Sequence, residues 1–286
     1  MNGSARSGPR LFALLGWPVE HSLSPAIHGA AFRELGIDAD YVCLPVREDE
    51  VDGVLSAVAR AGGGNVTVPH KEYAARLVDR PSDDVRRTGA CNCFWAEDDE
   101  VADDDTDVGG FRAAVEAWPE ARIQGGRILL LGAGGAARGV VAACRDVGAA
   151  SVEIWNRTTD RARGLVRSAG DAGPGARTEL GVLASRWDAE GPYDLVVNAT
   201  SLGLEPDDPL PLELTDVEAS AVFDLVYGRD GTPWTRHAAG LGLPVRDGLE
   251  MLVRQAGLSL RRWLDVDPPL RSMREAARSA AGRAES

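Results

Sequence analysis

Cysteine is scarce. There are four in 286 residues, Cys43, Cys91, Cys93 and Cys144, scattered along the chain. That distribution excludes a disulfide framework and points to free thiols in a reducing, cytoplasmic setting. Cys91 and Cys93 flank Asn92 and would share one face of a strand. No second Cys or His pair stands at ligand-like spacing, so they read as buried structural thiols, and no metal site is expected. Long apolar runs are missing too: none approaches the roughly 20 residues of a membrane span. The polar opening MNGSARSGPR has no apolar core behind it, which excludes a secretory signal and leaves a disordered lead-in. Nor is there a surplus of positive charge. Asp and Glu number 44 against 31 Lys and Arg, a net charge of −13, which argues against nucleic acid as a partner. Much of the acid lies in EDDEVADDDTD, residues 97–107, and reads mainly as a solvated turn.

What is present is alternation. LFALLG (11–16) is a buried-strand run. Ser24 and Pro25 look like N-cap and first residue of a helix with Ile27, Ala31 and Leu35 on one face, ended by Gly36. DYVCLPV (40–46) is the next strand, and Val51, Val54, Leu55 and Val58 mark the next helix. NVTVP (65–69) and KEYAARLVD (71–79) repeat the pattern. A second series begins near residue 125, with strands at RILLL, SVEIWN (151–156), DLVVNATS (194–201) and AVFDLVY (221–227), and a Gly/Pro-rich loop GDAGPGA. Such alternation predicts an α/β protein with parallel strands and helical crossovers. The last 40 residues read as two helices without a strand, which cannot fold alone and are expected to return to the first domain. The expected architecture is two domains. Residues 1–112 with 248–286 form a substrate domain with a mixed, mostly parallel sheet, and 113–247 form a Rossmann-type dinucleotide domain. Gly109, Gly110, Gly240 and Gly242 lie near the crossings and are candidate hinges.

Gly132-Ala133-Gly134-Gly135-Ala136-Ala137 fits G-x-G-x-x-A between an apolar strand and an apolar helix, the context a dinucleotide site requires. Gly132 allows the tight turn, Gly134 lets the backbone approach a pyrophosphate, and the helix N-terminus offers unpaired N–H groups. The next strand ends in Asn156-Arg157-Thr158, with Arg161 one turn on. NAD sites place a carboxylate at such a strand end. Here Glu153 is too early and Asp160 too late, and a guanidinium with a hydroxyl favours a 2′-phosphate, so the cofactor is read as NADP.

The stretch GGGNVTVPHKEYAARL (62–77) sets Asn65 and Thr67 two apart, pointing the same way on an extended chain, with Lys71 just beyond Pro69. The glycines before them carry no side chains to block access. With GWPVEHSLSPAIHGAAF, NVTVPHK, TGACNCFW, DTDVGGF, GAGGAARG, NRT, NATSLG, DLVYG and DGLEMLVRQAG in this order, the chain resembles the shikimate dehydrogenases from residue 12 to about 265.

The resemblance implies an NADP-dependent oxidoreductase acting on a CH–OH group, in chorismate and aromatic amino acid biosynthesis: reversible NADPH-dependent reduction of 3-dehydroshikimate to shikimate. It implies Lys71 as proton donor and acceptor and Asp107 as its partner. Implied substrate contacts are Ser22, Ser24, Asn65, Thr67, Lys71, Asn92, Asp107, Tyr227 and Gln255. Implied cofactor contacts are Gly132, Ala133, Gly134, Gly135, Ala136, Asn156, Arg157, Thr158, Arg161, Asn198, Thr200, Leu225 and Gly248. The implied partner is a small molecule, with no nucleic acid and no membrane, and a homodimer is left open. None of His21, His28, His70 and His237 is assigned to catalysis. The chain departs from the family pattern at Asp105, where Asn is usual, and at Cys93, where Thr is common. A carboxylate at 105 that pointed inward would oppose an anionic substrate. A quinate or amino-analogue dehydrogenase on the same scaffold, or a non-catalytic ligand-binding homologue, are the alternative readings.

Overall fold

The computed structural model describes residues 9–170, 178–185, 188–205 and 207–282. The lead-in, up to residue 8, and nearly all of the GDAGPGA loop lie outside the described residues. The first sheet is built on β1 (Arg10–Gly16), followed by α1 (Ser24–Leu35), β2 (Ala39–Pro45), α2 (Val51–Ala61) and β3 (Gly62–Val66). β1 pairs in parallel with β2 on one side and β3 on the other. Two short helices follow, α3 (Lys71–Ala74) and α4 (Asp83–Thr88), then an antiparallel hairpin of β4 (Cys93–Glu97) and β5 (Glu100–Asp104). The strand order is β2-β1-β3-β4-β5, with β3 and β4 antiparallel.

Four sequence expectations are corrected here. Leu23, not Ser24, holds the N-cap of α1, and Pro25 follows one residue inside the helix. The strand expected at 65–69 lies earlier, so the three glycines belong to it. They make room for the sheet rather than for a ligand: a Cβ on Gly62 would stand 2.7 Å from the Leu11 carbonyl oxygen, and one on Gly64 2.4 Å from that of Ala13. The helix expected over 71–79 stops after one turn. The acidic run is not a solvated turn. Only Asp98 and Asp99 make the hairpin loop, both with positive φ (48° and 67°) as a two-residue connection requires. Asp103, Asp104, Asp105 and Asp107 are buried.

α5 (Thr106–Glu116) carries the chain into a second sheet. This unit runs β6 (Arg127–Leu131), α6 (Gly135–Val147), β7 (Ser151–Trp155), α7 (Thr159–Gly170), β8 (Glu179–Val182), β9 (Leu195–Asn198), β10 (Val222–Asp224), α8 (Pro233–Gly240) and β11 (Val245–Asp247). The order is β11-β10-β9-β6-β7-β8 and every pairing is parallel. That is the doubly wound arrangement, whose switch point lies beyond the ends of β6 and β9. β6 is central and covered on both faces, which is why RILLL is an unbroken apolar run. The edge strands β8 and β11 escaped the sequence reading because each is short and lacks an apolar run.

Gly248 alone separates β11 from α9 (Leu249–Leu264), which leads to α10 (Leu270–Ala280). Both helices return to the first sheet. Leu249, Val253, Leu260, Trp263, Met273 and Ala277 bury against Phe12, Ile27 and Phe32, and the Trp263 ring stacks on Phe12 at 4.7 Å. Fully burying one such large apolar side chain contributes roughly 1.5–3 kcal/mol, enough in sum to hold helices that have no core of their own. α5 and α9 cross in close contact. A Cβ on Gly109 would lie 2.6 Å from Leu258 Cδ1, and one on Gly110 2.7 Å from Gln255 Cβ. These two glycines therefore serve close helix packing, not a hinge. Among the described residues no helix is long and apolar enough to cross a membrane.

Candidate active site

β3 ends at Val66 and the chain turns through Pro69 into α3, whose first residue is Lys71. β5 ends at Asp104 and turns into α5, whose second residue is Asp107. The two strand ends lie side by side because β4 stands between them in the sheet. Lys71 Nζ donates to Asp107 Oδ2 at 2.5 Å, with side chains only 12% and 6% exposed. Lys71 is the only lysine among the 31 Lys and Arg residues of the chain. An arginine keeps its proton at any working pH, whereas a lysine can exchange one.

Asn92 holds the pair in place. Its Nδ2 donates to Asp107 Oδ1 at 2.8 Å, and its Oδ1 accepts from the Thr106 amide at 2.7 Å and the Thr106 hydroxyl at 3.0 Å. Gln255 enters from α9. Its Oε1 accepts from Thr106 Oγ1 at 3.3 Å and from Asn92 Nδ2 at 3.5 Å. Asn65 lies behind, with Nδ2 donating to Ser259 Oγ at 2.9 Å and to the Asn92 carbonyl at 3.0 Å, and Oδ1 accepting from Tyr41 at 2.8 Å. The structure thus joins Lys71, Asp107, Asn92, Gln255 and Asn65 in one network. Thr67 stands at its edge, packed on Gly16. Ser22 and Ser24 form an adjoining wall, joined to the network where Ser24 meets the Tyr41 hydroxyl: Ser22 Oγ donates to Ser24 Oγ at 3.1 Å and accepts from the Ser24 amide at 3.2 Å. Tyr227 reaches this wall from the second unit, hydrogen bonded to Ser22 and to the Leu23 backbone, and burial pushes its hydroxyl above the ordinary tyrosine value.

Sequence reasoning missed Tyr41, Thr106 and Ser259. For Ser259 a signal existed, since it stands four residues after Gln255 on one helix face. His70 turns away from the site, its Nε2 2.6 Å from the Val46 carbonyl. Asp105 points inward in another sense than the substrate argument assumed. It is wholly buried and does not face an open cleft.

The glycine turn lies against this network. Gly134 caps α6 with nothing within 4 Å of where its Cβ would stand, so its Cα faces open space as a pyrophosphate cradle needs. Gly132, at φ 110°, allows the turn and packs on the Ala199 carbonyl. Gly135 also packs on the pair: a Cβ there would lie 2.8 Å from Lys71 Cβ. Gly139, one turn on, likewise meets Asp107 Cβ at 3.0 Å. The small residues of α6 thereby bring the glycine turn onto the Lys71–Asp107 pair. Asn198 braces the next loop, accepting from the Thr200 amide at 3.0 Å and hydroxyl at 2.7 Å, and donating to Asp224 Oδ1 at 2.8 Å. Burial raises Asp224 to about 6, against the hydrogen bonds it accepts from Thr232, Asn198 and Val226. Gly248 lets the Leu225 carbonyl approach, as a Cβ would lie 2.0 Å from it.

At the end of β7, Asn156 Nδ2 donates to the Thr158 carbonyl at 2.8 Å. Arg157 is exposed and has no ion-pair partner among the described residues, whereas Arg161 donates to Glu72 Oε1 at 3.2 Å. An exposed guanidinium, no carboxylate at the strand end and an open glycine cradle fit a dinucleotide with a 2′-phosphate.

The shikimate dehydrogenase substrate binding domain model matches residues 14–94, and the shikimate 5′-dehydrogenase C-terminal domain model matches 248–278. The NADP(+) shikimate dehydrogenase of Geobacter sp. (strain M21) is 36% identical over 273 residues, covering 93% of this chain and 94% of that protein. That of Thermus thermophilus is 39% identical over 274 residues, covering 95% and 98%. The crystal structure of the Thermus thermophilus shikimate 5-dehydrogenase in complex with NADP(H) and shikimate superimposes with a TM-score of 0.81 at 37% identity, over 95% of this chain and 99% of that one. With the two sheets, the glycine turn and the Lys71–Asp107 pair in place, these similarities establish that the chain belongs to the shikimate dehydrogenase family.

Proposed function

We propose that this chain catalyses the reversible NADPH-dependent reduction of 3-dehydroshikimate to shikimate. The observation that carries the reading is the Lys71–Asp107–Asn92 chain of hydrogen bonds lying against Gly135 at the dinucleotide turn. The same reading divides the chain into a substrate-binding unit, 1–112 with 248–286, and a cofactor unit, 113–247; the two separate sheets support it.

NADPH, when bound, supplies the hydride. Gly132 to Ala136 and the α6 N-terminus hold the pyrophosphate, Arg157 with Thr158 the 2′-phosphate, and the Asn198–Thr200 loop with Leu225 and Gly248 the far end of the cofactor site. The Lys71 ammonium hydrogen bonds to the ring carbonyl, polarises it, and delivers the proton to the developing alkoxide. In the reverse direction the Lys71 amine accepts that proton. Asp107 fixes the ammonium, and Asn92 fixes Asp107. Ser22, Ser24 and Tyr227 hold the substrate carboxylate near the start of α1, and Asn65, Thr67 and Gln255 read the ring hydroxyls.

Steady-state assays with shikimate and quinate, each with NADP⁺ and NAD⁺, test this. Shikimate with NADP⁺ is expected to give a kcat/KM at least about 100-fold above any other pairing, as two lost polar contacts would produce. A preference for quinate would overturn the assignment.

A further inference from the structure

Asp105 is the anomaly of the buried acidic run. Each of its neighbours has a partner. Asp103 Oδ1 accepts from the Ser82 amide at 2.9 Å, Asp104 Oδ2 accepts from Arg262 at 2.7 Å, and Asp107 is paired to Lys71. Asp105 is fully buried, and the Thr88 hydroxyl beside its carboxyl is turned to the Asp84 and Ala90 carbonyls, at 2.9 and 3.1 Å, so neither carboxyl oxygen is well satisfied. It is the N-cap of α5, yet its side chain bonds none of the helix amides. The groups around it are Lys71 of α3, Asp107 of its own helix, Asp104 of β5, the Cys91 thiol before β4, and the Thr88 hydroxyl of α4. Arg138 of α6 reaches the Thr88 carbonyl at 2.9 Å, with its Nε buried and unpartnered.

An unpaired carboxylate at such a position costs several kcal/mol, and a buried group of this kind sheds its charge instead. Burial, and then the Asp107 charge, push the Asp105 carboxyl well above the usual carboxylate range, with Lys71 acting the other way. Its protonation state matters to chemistry. A second carboxylate beside Lys71 would bind the ammonium proton more tightly and make it a poorer acid. A neutral acid of the same shape leaves Asp107 as the sole countercharge.

We propose that Asp105 stands behind the catalytic pair as a neutral carboxylic acid, a positioning residue that keeps the proton affinity of Lys71 set by Asp107 alone. The inference rests on the proposed role of Lys71 as proton donor. On raising the pH, Asp105 ionises and Lys71 holds its proton more firmly. Oxidation of the alcohol, which needs the Lys71 amine, is then held back on the alkaline side.

The single lysine makes this measurable without turnover. Protein grown on [¹⁵N]lysine carries one side-chain Nζ resonance, and its shift is followed from pH 5 to 11 in wild type and Asp105→Asn. In wild type the resonance is expected to show a step where Asp105 ionises; in Asp105→Asn that step is gone, and oxidation of the alcohol is no longer held back on the alkaline side. One shared titration curve for both proteins would overturn the proposal. Melting temperature against pH gives a second reading. A carboxyl raised in the folded state contributes stability below its unfolded value, near 3.9, which is lost as pH rises toward the folded value. Asp105→Asn should therefore gain on wild type from about pH 4 upward. A constant difference across that range would count against a buried neutral acid. If Asp105→Asn does not fold, the wild-type Nζ resonance alone still decides: it must show the step from Asp105, and a curve without it would overturn the proposal. None of these readings depends on the substrate, so they stand apart from failure of the assigned activity.

Discussion

Arg138, on the first helix of the cofactor sheet, donates to Glu72, the residue after Lys71, at 3.2 Å. Arg161 donates to the other oxygen of the same carboxylate, also at 3.2 Å. Glu72 therefore ties the unit carrying Lys71 to the unit carrying the glycine turn, beside the contact of Gly135 with Lys71. Both partners are partly solvated, so the bridge is expected to contribute about 1 kcal/mol. Glu72→Ala should lower kcat/KM roughly 5-fold and shift Tm by no more than about 4 °C. Unaltered kcat/KM at low ionic strength would show that the bridge does not align the two units.

Lys71 should tolerate no cationic substitute. Lys71→Arg preserves charge but cannot give up its proton, and Lys71→Ala removes both. Each is expected to lower kcat on the order of 10²–10⁴-fold, while substrate affinity, read by fluorescence titration, changes far less. A Lys71→Arg protein with wild-type kcat would take proton transfer away from this residue.

Arg157, exposed and without an ion-pair partner among the described residues, is available to a 2′-phosphate, whereas Arg161 is already engaged with Glu72. Arg157→Ala should raise KM for NADP⁺ by about 10- to 100-fold, the loss of one charge-assisted hydrogen bond, and leave KM for NAD⁺ nearly unchanged. Equal losses with both cofactors would mark Arg157 as structural.

Glu250 joins the two C-terminal helices. It accepts from Arg254 at 2.6 Å and from Arg274 at 2.7 and 2.8 Å. Burial works against its charge, but the hydrogen bonds from Arg274 and Arg254 outweigh burial and hold its carboxyl below the ordinary glutamate value. A lowered folded value contributes stability above the unfolded one, near 4.3, that is lost as pH falls through the folded value. Glu250→Gln should cost about 1–2 kcal/mol at pH 7, and the difference from wild type should shrink as pH falls below about 4.3. Denaturant midpoints at pH 7, 4.5 and 3 check this; a gap that stays constant across the three would trace the cost to packing rather than charge.

The sequence by itself determined the class of fold, the glycine turn and the residue types of the candidate site. Apolar runs alternating with helical stripes, and G-x-G-x-x-A between a strand and a helix, are local patterns that follow from side-chain period and backbone sterics. Lys71 and Asp107 were nameable through motif order. Tertiary structure alone decided what those residues touch. Gly62 and Gly64 looked like open access and proved to be strand positions where neighbouring backbones leave no room for a Cβ. Gly109 and Gly110 looked like a hinge and proved to be a helix crossing, because α9 arrives from about 140 residues away to press on them. Asp103 to Asp107 looked solvated, since charge in a row predicts water. The fold buries them instead, and Asp104 and Asp107 keep their charge through partners remote in sequence, Arg262 and Lys71. Burial is a property of what packs over a residue, and the elements packing over this site are contributed by distant parts of the chain.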